Sequence, residues 1–162
     1  MNNILSSKRG LSMHVGSLFF VKGKIAADMG QVAQAESHMQ MTKVIYEEHL
    51  TSGGDFASIR LASVFKELAN MLAAKDQFSE ALQMYKQAFT LFKKIFPNEL
   101  YRGISATYND LANTCITFKK FDLAMEYIDA AIKLNKNMFG EDSLELGTNY
   151  HTLGNLHSKR ME

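Results

Sequence analysis

The sequence predicts an all-α solenoid of stacked helix-turn-helix units, and three observations carry that prediction. First, residue types recur at a fixed offset of 43: Phe65 and Tyr108, Leu68 and Leu111, Ala69 and Ala112, Phe78 and Phe121, Ala81 and Ala124, Tyr85 and Ile128, Ala88 and Ala131. Self-similarity with a period of about 20–50 residues marks stacked repeats. Second, apolar residues within each half of a repeat return every three or four positions, which is helix spacing. Third, the chain has one proline, no tryptophan and no alternating run of strand length, so it lacks the punctuation of an all-β protein.

In chain order, residues 1–15 are expected to be irregular and residues 16–162 to form the repeat domain. No acidic residue occurs from Met1 to Ala27, whereas Lys8, Arg9, Lys22 and Lys24 are basic and serines are interspersed. That composition suits a mitochondrial presequence. Phe19, Gly23 and Ala26 fall on repeat positions, however, and a presequence carries no folded-domain positions. The cytoplasm is therefore the expected location, with the mitochondrion as the alternative.

The first unit covers about 16–54, where Phe19, Gly23, Ala26, Gly30, Val32, Ala35 and Met39 fall into register at an offset of 46. Lys22 takes its leucine position, and "TSGGD" lengthens its linker. The second and third units cover about 55–97 and 98–140. Short polar turns, "DMGQ", "KDQF" and "FKKF", split each unit into two helices. Antiparallel helices must approach closely somewhere, and Gly or Ala permits that. Ala69, Ala112 and Gly154 mark the place on first helices, Ala81 and Ala124 the facing place on second helices. Phe78 and Phe121 close the turns, and Ala88 and Ala131 let the next unit pack behind. A partial fourth unit, 141–162, repeats Tyr108, Leu111 and Ala112 as Tyr150, Leu153 and Gly154 at an offset of 42. Its helix is expected to start at Asp142 or Ser143 as N-cap. Tyr150, Leu153 and His157 then need a partner helix, so the helix is either a cap with a polar outer face or, as expected here, part of a longer chain.

Composition excludes several classes. With 162 residues, 46% hydrophobic and 22% charged, the chain suits one globular domain. A net charge of +1 gives no basic field for nucleic acid or anionic membrane. The apolar run "SLFFV" is far too short to span a bilayer. A lone cysteine, Cys115, forms no internal disulfide and favours a reducing compartment. It occupies a packing position, where cysteine acts as a small hydrophobe. His151 and His157 are six apart and share no metal-binding face, and Gly53-Gly54 lacks the context of a phosphate loop. No catalytic residue, metal or cofactor is expected.

The order large, Leu-Gly/Ala, aromatic, Ala, aromatic, Ala resembles the tetratricopeptide repeat, over roughly Ser17 to His157. The linkers "FPNELYRGIS" and "FGEDSLELGT" make the units longer than the usual ~34 residues. In this they are similar to the 42-residue variety of kinesin light chains, and 42 is the offset from Tyr108 to Tyr150. The resemblance implies a right-handed solenoid that binds rather than catalyses. One residue after the small position stand Asn70, Asn113 and Asn155, and four residues earlier Lys66, Asn109 and His151, so each pair shares one helix stripe. The first unit has Phe20 and Lys24 there. In the resembled family this stripe lines the concave groove, where such asparagines grip the backbone of an extended peptide, since an amide both donates and accepts. Lys24 and Lys66 suit carboxylates, although a full carboxylate clamp needs more basic residues than these two. The structural alternative is a solvated helix face, or asparagines bonded between neighbouring repeats.

The expected function is an adaptor or scaffold for a protein or peptide partner, without nucleic acid. The alternatives are an architectural subunit of a large assembly, or a regulatory sensor segment of a longer protein whose catalytic part lies elsewhere.

Overall fold

The computed structural model describes residues 12–51 and 54–162. Most of the stretch expected to be irregular lies outside these residues, but its last four positions do not, and three of them are helical: a helix already begins at Met13. Among the described residues seven helices follow one another: α1 (Met13–Asp28), α2 (Val32–Glu48), α3 (Gly54–Ala74), α4 (Phe78–Ile95), α5 (Arg102–Thr117), α6 (Phe121–Phe139) and α7 (Leu144–Met161). No strand occurs among the described residues. A presequence reaching to Ala27 would remove α1, whose Gly16, Gly23 and Ala26 are buried.

Each helix pair is joined by the same turn. Gly30, Asp76 and Lys119 occupy equivalent positions and all have left-handed backbones, with φ of 71°, 60° and 55°. The next amide reaches back over the turn: Gln31 N–H to Ala26 O, Gln77 N–H to Leu72 O and Lys120 N–H to Cys115 O, at 2.8, 3.0 and 2.8 Å. The left-handed residue itself donates to Ala27, Ala73 or Ile116. This is the Schellman closure, which satisfies helix-end carbonyls and reverses the chain in two residues. Glycine, the residue suited to positive φ, stands there only once; Asp76 tolerates it better than Lys119.

Packing follows the repeat. Ala69, Ala81, Ala88, Ala112, Ala124 and Ala131 are all fully buried, and Tyr85, Phe92 and Ile128 fill the space between them. Burying each of these large side chains stabilises the fold by about 1.5–3 kcal/mol. In the first unit Gly23 takes the small position: a Cβ there would lie 3.0 Å from Met39 Cε. Met39 is 0% exposed, as its alignment with Tyr85 requires. The linkers are shorter than the sequence suggests. Only 96–101 and 140–143 separate units two, three and four, and much of the extra repeat length lies in the helices themselves, α3 reaching 21 residues and α6 19. Ser143 takes the N-cap position of α7, but its hydroxyl makes no capping bond and is buried without a partner.

First helices of successive units touch directly, α3 with α5 and α5 with α7. No two second helices pack together as closely, so the first helices occupy the inner side of the curve. The faces of α1 and α7 pointing along the solenoid axis are left without a neighbour among the described residues. Leu18, Val21 and Ile25 are exposed on α1, Met29 directly after it, and Tyr150 on α7.

Candidate functional site

The inner stripe of α1, α3, α5 and α7 carries the seven residues singled out in the sequence, and the structure divides them into two groups. Four are engaged within the protein. Lys24 Nζ lies 3.0 Å from Glu67 Oε1 on the neighbouring first helix, and Lys66 Nζ lies 3.0 Å from Asp110 Oδ2 and 3.6 Å from Glu67. Asn70 donates to Asp110 Oδ2 at 3.5 Å, and its own oxygen accepts a short hydrogen bond from the Tyr85 hydroxyl. Asn109 is buried and accepts from Asn149 Nδ2 at 2.9 Å. The other three, Asn113, His151 and Asn155, are exposed and make no side-chain hydrogen bond with any described residue.

Charge alternates along the engaged part: Lys24 on α1, Glu67 and Lys66 on α3, and Asp110 on α5. Burial alone would lower the pKa of Lys66, but the Asp110 and Glu67 carboxylates outweigh it and hold the ammonium above its ordinary value. The half-exposed Lys24 contributes little through its own pair, since such surface bridges are worth about 0–1 kcal/mol. The network neutralises both lysines, so the groove presents no net basic patch to a ligand carboxylate.

Glu67 and Asp110 were not singled out in the sequence, yet they occupy one repeat position at the offset of 43, each directly after Lys66 or Asn109. That coincidence was a readable signal. A second network was not. Asn135 on α6 donates to Asn149 Oδ1 at 2.7 Å and Asn149 donates to Asn109, so buried amides join α6, α7 and α5. Asn135 also reaches Glu145 O at 3.4 Å. Asn135 Oδ1 and Ser105 Oγ are buried without a protein partner and line a cavity of about 190 Å3, polar and large enough for water.

The free amides border open space. Asn113 and Asn70 line a cavity of about 290 Å3 between α3 and α5. Asn155 lines one of about 570 Å3 with Ile116, Lys119, Lys159 and Arg160, where α7 meets the α5–α6 turn. Cys115 is buried and unpaired, and burial pushes its thiol pKa up to about 11, so it is a packing residue and not a thiolate nucleophile. Among the described residues no group of three His, Cys, Asp or Glu side chains is placed to hold a metal, and no helix is long and apolar enough to cross a membrane.

Comparison with known proteins agrees with this geometry. The tetratricopeptide repeat family matches twice, at residues 61–99 and at 105–138, which are the second and third helix pairs. No curated protein matches the sequence. The crystal structure of BtubC (BKLC) from P. vanneervenii is similar, with a TM-score of 0.73 at 22% identity. The similarity covers 98% of this chain and 63% of that one, so the chain spans less than two thirds of its relative's length. Two family matches in tandem, on helix pairs with buried alanines at the repeat positions, make this chain a tetratricopeptide-repeat protein.

Proposed function

We propose that the chain is a protein-interaction module, an adaptor or scaffold, that holds an extended segment of a partner protein along the groove of α1, α3, α5 and α7. Tetratricopeptide repeats generally mediate protein–protein interactions and are typically non-catalytic. One observation carries the groove reading. Asn113 and Asn155, 42 residues apart at one repeat position, keep free amides beside cavities between consecutive first helices. A rigid array holds such amides in place beforehand, which lowers the ordering cost of gripping a peptide backbone. His151, one turn before Asn155, adds a third polar contact, and Lys24 reaches a ligand carboxylate only by leaving Glu67. Lys66, Asn70 and Asn109 support the groove from within.

Crosslinking mass spectrometry on the native protein identifies the partner that touches this stripe. Against that partner, Asn113→Ala with Asn155→Ala should weaken binding at least about tenfold and leave the melting temperature nearly unchanged. Wild-type affinity in the double variant would refute the groove. The apolar stripe Leu18, Val21 and Ile25 on α1, continued by Met29 at its end, favours a second reading, an architectural subunit that uses its ends. A stable stoichiometric complex that survives the double variant would decide for it. The lone cysteine supports the cytoplasm as the place of action, and fractionation tests this.

A further inference from the structure

Where α5, α6 and α7 meet, two buried polar side chains stand at positions that are apolar in the preceding unit. Ser105 and Asn135 lie at the offset of 43 from Ala62 and Phe92. Ala62 and Phe92 belong to the hydrophobic core, and their polar equivalents are just as deeply placed, at 2% and 3% exposure. Both polar residues line the cavity of about 190 Å3, and Ser105 Oγ and Asn135 Oδ1 have no hydrogen-bond partner among the described residues. A buried polar atom left unpaired costs stability. Alanine and phenylalanine avoid that cost in the second unit, so the exchange gains nothing for the fold. It does leave a donor and an acceptor facing one cavity.

The chemistry of the two atoms defines the occupant. Asn135 Nδ2 donates to Asn149 Oδ1 at 2.7 Å and reaches Glu145 O at 3.4 Å. A backbone carbonyl only accepts, which fixes the amide orientation and leaves Oδ1, a pure acceptor, as the free end. The Ser105 hydroxyl can donate. A primary carboxamide meets both: its NH2 donates to Asn135 Oδ1 and its oxygen accepts from Ser105 Oγ. It would add one member to the buried run Asn109, Asn149, Asn135. A lysine ammonium fits less well. The two carboxylates of the cavity wall already hold cations, Asp110 with Lys66 at 3.0 Å and Glu145 with Arg102 at 3.6 Å. A further cation would have to share them, and burying it costs more than burying a neutral amide. We propose that this cavity is a side-chain pocket of the groove, taking the primary carboxamide of an asparagine or glutamine in the bound partner segment. The largely exposed Arg102 and the exposed Thr148 form its mouth, and Asn109 places it on the inner stripe. The pocket rests on the groove reading for the source of its ligand and adds the residue type that the segment must carry.

The test titrates the isotopically labelled 162-residue chain with capped glutamine, acetyl-glutamine methylamide, and follows the side-chain amide resonances of Asn135 and Asn149. Saturable shifts are expected, with a Kd on the order of 1–10 mM, and capped lysine should bind at least about fivefold more weakly. Ser105→Ala, which restores the alanine of the second unit, should weaken capped glutamine roughly threefold to tenfold without lowering the melting temperature. The groove variant Asn113→Ala with Asn155→Ala should bind the probe like wild type. Pocket and groove therefore fail separately: a partner that needs Asn113 and Asn155 while capped glutamine does not bind would keep the groove and overturn the pocket. Shifts that grow without saturating would also overturn it, since the cavity would then hold water only. So would equal binding of capped lysine, or wild-type binding of capped glutamine by Ser105→Ala.

Discussion

Replacing Asn149 with alanine tests whether the buried amides join helices or merely fill space. Asn149 is 0% exposed and makes two side-chain bonds, donating to Asn109 at 2.9 Å and accepting from Asn135 at 2.7 Å. Asn149→Ala removes both. Each bond contributes about 0.5–1.5 kcal/mol net, and a buried polar group left without a partner costs about 1–3 kcal/mol. Asn109 Oδ1 loses its partner, while Asn135 Nδ2 keeps only the 3.4 Å contact to Glu145 O. Both residues line the adjoining cavity of about 190 Å3, and water entering there offsets part of the loss. The net expectation is about 2–4 kcal/mol, or a melting temperature lower by about 4–16 °C for a chain of this size.

Urea unfolding followed by circular dichroism measures the loss. Hydrogen exchange locates it: repeat units couple only to their neighbours, so α7 should lose protection first. Exposed Asn113→Ala should stay within about 0.5 kcal/mol of wild type. An Asn149→Ala loss below about 0.5 kcal/mol would refute the reasoning and show that solvent already satisfies these amides.

Four further outcomes are expected. Stability should fall as pH rises from about 9 to about 11: the unfolded Cys115 thiol ionises near 9.0 and the folded one only near 11, so the unfolded state binds fewer protons in that window. The two-unit shift corresponds to about 2–3 kcal/mol. Buried Tyr85 and ion-paired Lys66, both raised, steepen the decline above their ordinary values, and Cys115→Ala should flatten its early part in denaturation curves at pH 8 to 11. Ala112→Leu, at a fully buried position, should cost about 1–3 kcal/mol or more, whereas Gly154→Ala should stabilise by up to about 1 kcal/mol; melts that rank them the other way would disprove the register. Lys119→Gly should raise stability by about 0.5–1 kcal/mol by relieving a left-handed lysine, and Asp76→Gly by less. Tyr85→Phe should cost about 0.5–1.5 kcal/mol without weakening partner binding; weaker binding would make Asn70 and its support part of the contact surface.

The helices, their turns and their alanine contacts were legible because each depends on residue type at a fixed spacing. Turn positions were legible from "DMGQ", "KDQF" and "FKKF", although only the first contains the glycine that positive φ favours. Linker lengths were misread: "GIS" and "LELGT" look like loop sequences, but all their residues are helical. Short polar or glycine-containing stretches extend a helix when the neighbouring unit buries one side of it, here through Ile104 and Leu146. Local propensity carries no information about that burial.

The asparagine stripe was legible as a pattern but not as a function, and the reason lies in the partner helix. Asn70 and Asn113 hold one repeat position, yet Asn70 is captured and Asn113 is free. Beneath them stand Tyr85 and Ile128, also equivalent, both fully buried and both serving as the bulky residue between two alanines. As hydrophobes they are interchangeable in the repeat. Only the tyrosine carries a hydroxyl, which needs a partner when buried, and Thr114 Oγ1 at 3.1 Å and the Asn70 oxygen provide it. Ile128 makes no such demand and leaves Asn113 facing the groove. On α5 the amide four residues before Asn113 has the opposite fate: Asn149, which replaces the Thr107 of the preceding unit, takes Asn109 into the buried network. Whether an inner amide holds the fold or stays free at the groove is thus set by the polar content of residues chosen for their size, one layer below the stripe itself.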